Sequence, residues 1–242
     1  MRRYPSPYAA SFSFGPGPLS TALKVLIGAT VAIFVGQVFL PITDVLALWP
    51  ILVVRKLYVW QLATYMFLHG GVGHLVVNML TLWMFGTELE RMWGTRYFLK
   101  FYFVTGIGAA VITVLAGLLP FAFTQSFYAA PTVGASGAIF ALLLAYGMYF
   151  PDRPVYMYLV FPIPARYFVM IIGAISFLAG GGVAHATHLG GLVVGYVMLK
   201  SGRVDPLGEL KYRYLKWKIN RVRKKFDVYS GGRADDWDRR VH

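Results

Sequence analysis

The stretch Gly134-Ala135-Ser136-Gly137 leads directly into the apolar run 138–150, AIFALLLAYGMYF. An uninterrupted apolar run of this length predicts a helix that is buried in a core or a membrane. The glycines on either side of the serine allow another helix to approach closely, and a serine in such a place commonly bonds between helices. A base at the same depth would instead make Ser136 a nucleophile. The rest of the chain decides between these two interpretations.

The composition is that of a membrane protein. The 242 residues are 57% hydrophobic and only 14% charged, whereas about a quarter of the residues of a soluble domain are charged. There is no cysteine, which excludes disulfides, thiol nucleophiles and thiolate metal sites. A membrane crossing needs roughly 20 residues. Apolar runs of about this length or somewhat shorter occur at Thr21–Leu40, Gly71–Thr87, Tyr97–Leu119, Ser136–Phe150, Ala165–Ala179 and Ala184–Leu199.

These runs predict an all-α integral membrane protein, a bundle of six transmembrane helices within residues 19–200. Residues 1–18 form a short N-terminal segment, and residues 201–242 a basic C-terminal tail. Residues 41–68 contain prolines, charges and tryptophans, so we expect a long first loop that lies partly in the membrane surface.

Lysine and arginine residues predict the orientation. Residues 200–242 hold 13 of the 23, and the connections between crossings alternate between basic ones and ones with few or no Lys or Arg. Cytoplasmic segments carry the excess of basic residues, so both termini are predicted to be cytoplasmic. Crossings two, four and six then run inwards, which places His74, Ser136 and His188 near their outer ends. The net charge of +13 thus reflects topology, and no nucleic-acid partner is expected.

His188 is the candidate base. Positions 188, 191 and 195 share one face of a helix, and Gly191 and Gly195 form a small surface on which another helix can pack. The crossing that starts with Ser136 and Gly137 is a suitable partner. Histidines within a membrane usually mark functional sites, which favours a Ser136–His188 dyad. Each residue could also serve only as a structural hydrogen-bonding group.

His74 and Asn78, four residues apart, share a face of the second crossing. With the backbone N–H of Ser136 they could stabilise an oxyanion, or they could simply hydrogen-bond between helices. A catalytic triad needs an acid behind the histidine. Phe140, one turn after Ser136, could hold the imidazole by ring stacking instead, because the acids that precede the tail lie at the opposite helix ends or in the first loop: Asp44, Glu88, Glu90 and Asp152.

Four ordered motifs resemble the rhomboid family of intramembrane serine proteases over about residues 55–200. They are His69-Gly70-Gly71-Val72-Gly73-His74 with Asn78; Phe85-Gly86 through Glu90 and Gly94; Gly134-Ala135-Ser136-Gly137; and Ala184-His185-Ala186-Thr187-His188-Leu189-Gly190-Gly191 with Gly195.

The resemblance implies that Ser136 is the nucleophile, that His188 is the general base, and that transmembrane proteins are the substrates. It also implies an oxyanion site made by His74, Asn78 and the Ser136 amide, and no cofactor. A six-helix bacterial-type member would lie in a bacterial inner membrane. Its fifth helix and a capping loop at Gly180–Val183 would move to admit a substrate helix sideways.

Two residues depart from the family pattern. Trp60-Gln61 stands where many members have Trp-Arg, so an arginine cannot anchor the first loop there. Phe140 stands where many members have tyrosine, so stacking on the imidazole remains possible but a phenolic hydrogen bond does not.

Three other functions compete with this one. A zinc hydrolase would want His-Glu-x-x-His, and His185-Ala186-Thr187-His188 has neither that spacing nor an acid, so no metal is expected. A catalytically inactive rhomboid-like factor that binds membrane proteins would not need both Ser136 and His188. A transporter or channel would need charges within the membrane, and the middles of the crossings have none.

The tail has a pattern of its own. Apolar residues recur at helical spacing, at Leu215, Ile219, Val222 and Phe226, with Lys and Arg between them. This predicts a basic amphipathic helix that binds the anionic lipids of the cytoplasmic leaflet. The alternative is a solvated tail that only reinforces the topology.

Overall fold

A computed structural model describes residues 16–121, 124, 128–157, 161–179 and 182–201. Within these ranges the helices are α1 Thr21–Phe39, α2 Thr43–Leu46, α3 Pro50–Lys56, α4 Gln61–Thr64, α5 Val72–Trp93, α6 Thr95–Gly117, α7 Ser136–Tyr149, α8 Ala165–Ala179 and α9 Gly182–Ser201. A 3₁₀ turn at Tyr65–Phe67 follows α4, and strands β1 (Pro154–Met157) and β2 (Phe161–Pro164) pair between α7 and α8.

The chain divides into two compact units, Met1–Leu199 and Lys200–His242. The first unit holds all the structure discussed below. The predicted amphipathic tail helix lies outside the described residues, as do Gly180 and Gly181 of the predicted capping loop.

The predicted all-α membrane bundle is confirmed, because the chain is mostly helical and its long helices are apolar. Among the described residues, α1 and α6 are each long and apolar enough to cross a membrane alone. Residues Gln61–Phe67 and α5 pass the same test together, although they meet at 96°. The helices α7 and α8 are apolar but shorter. The number of six crossings therefore stays a prediction.

Helix α5 continues beyond the predicted end of the second crossing at Thr87, as far as Trp93. The extra turns contain Glu90, which is buried. Its carboxylate accepts hydrogen bonds from the hydroxyls of Ser20 (2.5 Å) and Thr95 (2.7 Å). Because a buried carboxylate with such partners avoids most of its desolvation cost, the acidic residues do not end the helix.

The first loop is held by Gln61 rather than by an arginine. The Gln61 side chain is fully buried. Its Oε1 accepts a hydrogen bond from the backbone N–H of Trp49 (3.0 Å), and its Nε2 donates to the carbonyl of Val45 (3.1 Å). The residue that departs from the family pattern therefore anchors the loop through both ends of its amide.

The connection 151–164 forms a β-hairpin that the sequence analysis did not predict. The two strands pair antiparallel, with Pro154 opposite Pro164 and Met157 opposite Phe161. At its base, Arg153 forms an ion pair with Glu88 of α5. This ion pair ties the hairpin to the end of α5 that lies farther from Ser136.

Helix α7 lies at the centre of the bundle, packed against α5, α6 and α8. Its alanines Ala138, Ala141 and Ala145 are fully buried, so neighbouring helices approach its backbone closely. The rings of Trp93 and Tyr149, at the ends of α5 and α7, have centroids 5.8 Å apart. The beginnings of these two helices also lie together, and that end of the bundle carries the candidate site.

Candidate active site

Ser136 is the first residue of α7, and Gly134 shapes the turn before it. Gly134 has φ +121°, a conformation that favours glycine, and its N–H donates to the carbonyl of Tyr65 (2.9 Å). A Cβ at this position would lie 2.8 Å from Cε1 of His74. The glycine thus allows the serine turn and the His74 ring to lie side by side.

His188 reaches Ser136 from α9. Its Nε2 lies 2.8 Å from the Oγ of Ser136, although the two residues are 52 positions apart. The close approach of α7 and α9 is made at glycines, since a Cβ at Gly191 would overlap the carbonyl oxygen of Gly137. One turn further on, a Cβ at Gly195 would lie 2.8 Å from the Cβ of Ala141. A Cβ at Gly137 would lie 2.8 Å from the Cβ of Ala109. The four glycines that were predicted to allow close helix packing, Gly134, Gly137, Gly191 and Gly195, therefore stand where a methyl group would collide with a neighbour.

Phe140 lies one turn after Ser136 and stacks on the imidazole of His188. The ring centroids are 4.3 Å apart and the planes are inclined by 21°. Stacking of this kind restricts rotation of the imidazole, and it keeps Nε2 directed at the Ser136 hydroxyl.

Ser176 of α8 is a site residue that the sequence analysis missed. Its Oγ lies 2.8 Å from Nδ1 of His188, so the imidazole is hydrogen-bonded through both nitrogens. A signal for it was present: Ser176 is the only Ser, Thr, Asn, Gln or His in the segment 165–179. A lone small polar residue in an apolar helix is normally hydrogen-bonded to another helix.

His74 directs a nitrogen towards the turn at Ser136. Its Nδ1 accepts a hydrogen bond from the backbone N–H of Gly70 (3.3 Å), so the proton of the neutral ring lies on Nε2. This Nε2 and the Oγ of Ser136 both lie within 4 Å of the point where a Cβ of Gly134 would stand. His74 thus offers an N–H donor beside the hydroxyl.

Asn78 lies one turn below His74 and is buried. Its Nδ2 donates to the carbonyl of His74 in the same helix (2.7 Å). An amide nitrogen carries two hydrogens, and this bond uses one of them. The predicted oxyanion role of Asn78 therefore depends on the second hydrogen, and it stays a prediction.

His69 is a further histidine that lies next to the site. The ring of His69 contacts that of His74 edge to face, with centroids 5.0 Å apart. Over the part of the chain that the structure describes, no three His, Cys, Asp or Glu side chains converge so that they could hold a metal ion.

Among the described residues, three carboxylates that could be considered as partners of His188 have partners elsewhere. Glu88 pairs with Arg153, Asp152 pairs with Arg166 (3.1 Å), and Glu90 accepts from Ser20 and Thr95. Within the described ranges, the groups found in contact with the His188 ring include a phenyl ring and two hydroxyls.

This arrangement has the parts that acyl transfer requires. A hydroxyl lies within hydrogen-bonding distance of an imidazole that can take its proton. The first N–H groups of a helix have no partner within the helix, so those of α7 face the site together with the positive end of the helix dipole. Ser136 and His188 are half-buried and His74 is exposed, which leaves the site accessible from the side of His74.

Comparison with known proteins identifies the family to which this chain belongs. The Rhomboid domain pattern matches residues 56–201, more than half of the chain. The chain is 31% identical over 135 residues to Rhomboid protein 1, mitochondrial, of Saccharomyces cerevisiae, covering 53% of this chain and 38% of that protein. It is 35% identical over 140 residues to Rhomboid protease GluP of Bacillus subtilis, covering 57% and 25%. RHOMBOID-like protein 12, mitochondrial, of Arabidopsis thaliana is 31% identical over 163 residues, covering 59% and 47%.

The chain spans less than half the length of each of these relatives. The matched region nevertheless contains every residue of the site described above. With its apolar helices, the chain is a multi-pass membrane protein, and it belongs to the rhomboid family, whose members are generally intramembrane serine proteases.

Proposed function

We propose that this chain is an intramembrane serine protease that hydrolyses peptide bonds in or near transmembrane segments of other membrane proteins. The observation that carries the proposal is the distance of 2.8 Å between the Oγ of Ser136 and Nε2 of His188. This is the contact that a nucleophile and its general base require. Membership of the rhomboid family supports the same activity.

The reaction has two stages. In the first, the Oγ of Ser136 attacks the carbonyl carbon of the substrate while its proton passes to Nε2 of His188. The tetrahedral intermediate then collapses, the C–N bond breaks, and His188 returns the proton to the leaving amine. In the second stage, His188 takes a proton from water while the water oxygen attacks the acyl carbon. The C–O bond to Ser136 then breaks, His188 returns the proton to the Oγ of Ser136, and the new carboxyl terminus is released.

The oxyanion of the intermediate is stabilised by hydrogen-bond donors on the side of the turn. The backbone N–H of Ser136 and Nε2–H of His74 lie beside the hydroxyl, and Asn78 supplies a further N–H from the same face of α5. Such donors stabilise the negative charge that develops on the carbonyl oxygen in the transition state. Removal of one of them typically lowers kcat by about 10²–10³-fold.

The length of α7 supports a reaction below the membrane surface. Its 14 residues extend about 21 Å, whereas the hydrocarbon core is about 30 Å thick. With its far end at the opposite boundary, the helix begins several Å inside the membrane. Because a regular helix already pairs its backbone carbonyls, we expect cleavage at substrate segments that unwind easily, such as those with small or helix-destabilising residues.

The proposed organisation follows from the distribution of basic residues. It comprises a cytoplasmic segment at 1–18, six crossings within 19–200 and a cytoplasmic tail at 201–242. The membrane we propose, from the resemblance to six-helix bacterial-type members, is a bacterial inner membrane. The tail binds anionic lipids through its Lys and Arg residues. Transmembrane proteins are the substrates, and the mechanism uses neither a cofactor nor a nucleic acid.

The test is cleavage of a transmembrane reporter by the purified full chain in liposomes. We expect that Ser136→Ala and His188→Ala abolish cleavage, and that Ser136→Ala also abolishes labelling by a fluorophosphonate. Thr81→Ala is the matched control, because the Thr81 hydroxyl donates to the Val77 carbonyl of its own helix (2.7 Å). Full activity in a folded Ser136→Ala protein would refute the proposal.

A catalytically inactive factor that binds membrane proteins is the alternative. It predicts that the reporter is bound but not cut by wild type, and that Ser136→Ala binds it equally well. The Ser136–His188 contact favours the protease, because binding alone does not require a hydroxyl held against an imidazole.

A further inference from the structure

We propose that Ser176 is a positioning residue for the reaction, because its hydroxyl holds the His188 ring from the side opposite Ser136. This inference rests on the proposed function of the Ser136–His188 pair. It assigns to α8 the place that a carboxylate takes in a Ser-His-Asp triad.

The geometry places His188 between two hydroxyls. The Oγ of Ser136 lies 2.8 Å from Nε2, and the Oγ of Ser176 lies 2.8 Å from Nδ1. Phe140 covers one face of the ring. The imidazole is therefore held by residues of α7 and α8, although it belongs to α9.

The chemistry determines which way the Ser176 bond must run during the reaction. To take the proton of Ser136, Nε2 must be unprotonated, so the proton of the neutral ring lies on Nδ1. This N–H donates to the Oγ of Ser176. After the transfer both nitrogens of His188 carry protons, and Nδ1 can only donate.

The bond becomes stronger as the reaction proceeds. A hydrogen bond from a charged donor is roughly twice as strong as one between neutral groups. The Oγ of Ser176 therefore stabilises the imidazolium more than it stabilises the resting ring. Interactions that strengthen in the transition state raise kcat rather than lower KM.

A hydroxyl suits this position in a membrane better than a carboxylate does. Burial of a charge in a bilayer is costly unless the charge is paired, whereas burial of a hydrogen-bonded hydroxyl costs little. The hydroxyl stabilises the imidazolium less than an aspartate would. We therefore expect its loss to slow the reaction without abolishing it.

The experiment compares Ser176→Thr with Ser176→Val in the full chain. These two side chains have nearly the same shape, and only threonine has the hydroxyl. We expect Ser176→Thr to retain kcat within about threefold, and Ser176→Val to lower kcat about tenfold with KM unchanged, as the loss of one charge-assisted hydrogen bond implies. Gly173→Ala is the control on the same helix, since a Cβ there has no neighbour within 4 Å.

Three outcomes would overturn the proposal. Equal kcat values for the two variants would show that shape alone matters. A raised KM with unchanged kcat would make Ser176 a substrate contact. Fluorophosphonate labelling that persists in folded Ser136→Ala but is lost in folded Ser176→Ala would make Ser176 itself the nucleophile. Ser176→Ala also replaces Ser176→Val in the comparison if valine prevents folding.

The same series separates this inference from the proposed function. Ser136→Ala must lose both labelling and cleavage for the proposed function to stand. If it does, and Ser176→Val behaves like Ser176→Thr, only the positioning role is wrong. If Ser136→Ala retains activity, the protease mechanism is wrong whatever Ser176 does.

Discussion

The packing of α9 on α7 should control catalysis, and a methyl group can be moved across this interface to test it. Gly195 faces Ala141, and a Cβ on Gly195 would lie 2.8 Å from the Cβ of Ala141. Ordinary contacts begin at 3.4 Å, so Gly195→Ala pushes the helices apart by about 0.6 Å, which is 3.4 minus 2.8. The backbone of Ala141, at 3.2 Å, leaves little room to avoid this.

The displacement is large enough to affect the contact between Ser136 and His188. His188 lies two turns before Gly195 on the same helix, about 10 Å away. Full transmission would lengthen the Ser136–His188 contact from 2.8 Å to about 3.4 Å, beyond the range in which proton transfer is efficient. Because a misplacement of about 1 Å costs on the order of a hundredfold in rate, we expect Gly195→Ala to lower kcat about tenfold.

The double variant Gly195→Ala with Ala141→Gly should recover most of the lost activity. The double variant moves one methyl group from α7 to α9. Because it has the same number of helical alanines and of helical glycines as the wild type, the summed helix propensity is nearly unchanged. Gly191→Ala is the contrasting case. Its Cβ would collide with the backbone carbonyl of Gly137, which no side-chain deletion can relieve, so Ala141→Gly should not rescue it.

The assay is cleavage of the transmembrane reporter in liposomes, with kcat and KM measured for each variant and thermal unfolding as a check of folding. The coupling energy between positions 141 and 195 comes from the double-mutant cycle. The reasoning fails if folded Gly195→Ala keeps the wild-type kcat, or if the double variant is no faster than Gly195→Ala.

Four further predictions concern single features. Phe140→Tyr should keep cleavage near the wild-type rate because the stacked ring remains. Phe140→Ala should lower kcat about fivefold, as the loss of an aromatic pair worth about 1 kcal/mol implies; reporter cleavage measures both. His74→Ala should lower kcat about 10²–10³-fold with little change in KM, as the loss of an oxyanion donor does; an equal change in KM would contradict that role. Gln61→Ala removes both anchoring hydrogen bonds of the first loop and should destabilise the protein by about 2 kcal/mol. A lower thermal unfolding midpoint would show this, whereas an unchanged midpoint would show that the loop is held by other contacts. Removal of residues 205–242 should leave reporter cleavage largely intact but weaken binding to anionic lipids, and loss of cleavage in the folded truncated protein would contradict a purely lipid-binding tail.

Local patterns were sufficient for much of this structure. Apolar runs located the long helices, because each helix needs an apolar surface in a membrane whatever its neighbours are. The spacing of His188, Gly191 and Gly195 follows from helix geometry alone, so their common face could be predicted without coordinates. The positions of Ser136 and Gly134 at a helix start are local in the same way.

Other features depend on contacts that no local pattern contains. Glu90 can be buried in α5 because the hydroxyl of Ser20, 70 residues earlier in the chain, donates a hydrogen bond to its carboxylate. Gln61 anchors the first loop only because the chain path brings Trp49 and Val45 to its amide. Ser176 could be recognised as a polar residue in an apolar helix, but its partner depends on which face of α8 meets α9.

The groups in contact with His188 suggest how serine chemistry can be adapted to a membrane. An imidazole that accepts a proton becomes a cation, and in a soluble enzyme a buried carboxylate stabilises it. In a bilayer such a carboxylate would be a second buried charge, and its desolvation would cost free energy in the resting enzyme as well as during the reaction. The stacked ring of Phe140 and the hydroxyl of Ser176 are neutral, so in the proposed mechanism they orient the imidazole without introducing a second charge. The expected consequence is a slower chemical step than with a full triad, in a site whose resting state costs little to bury.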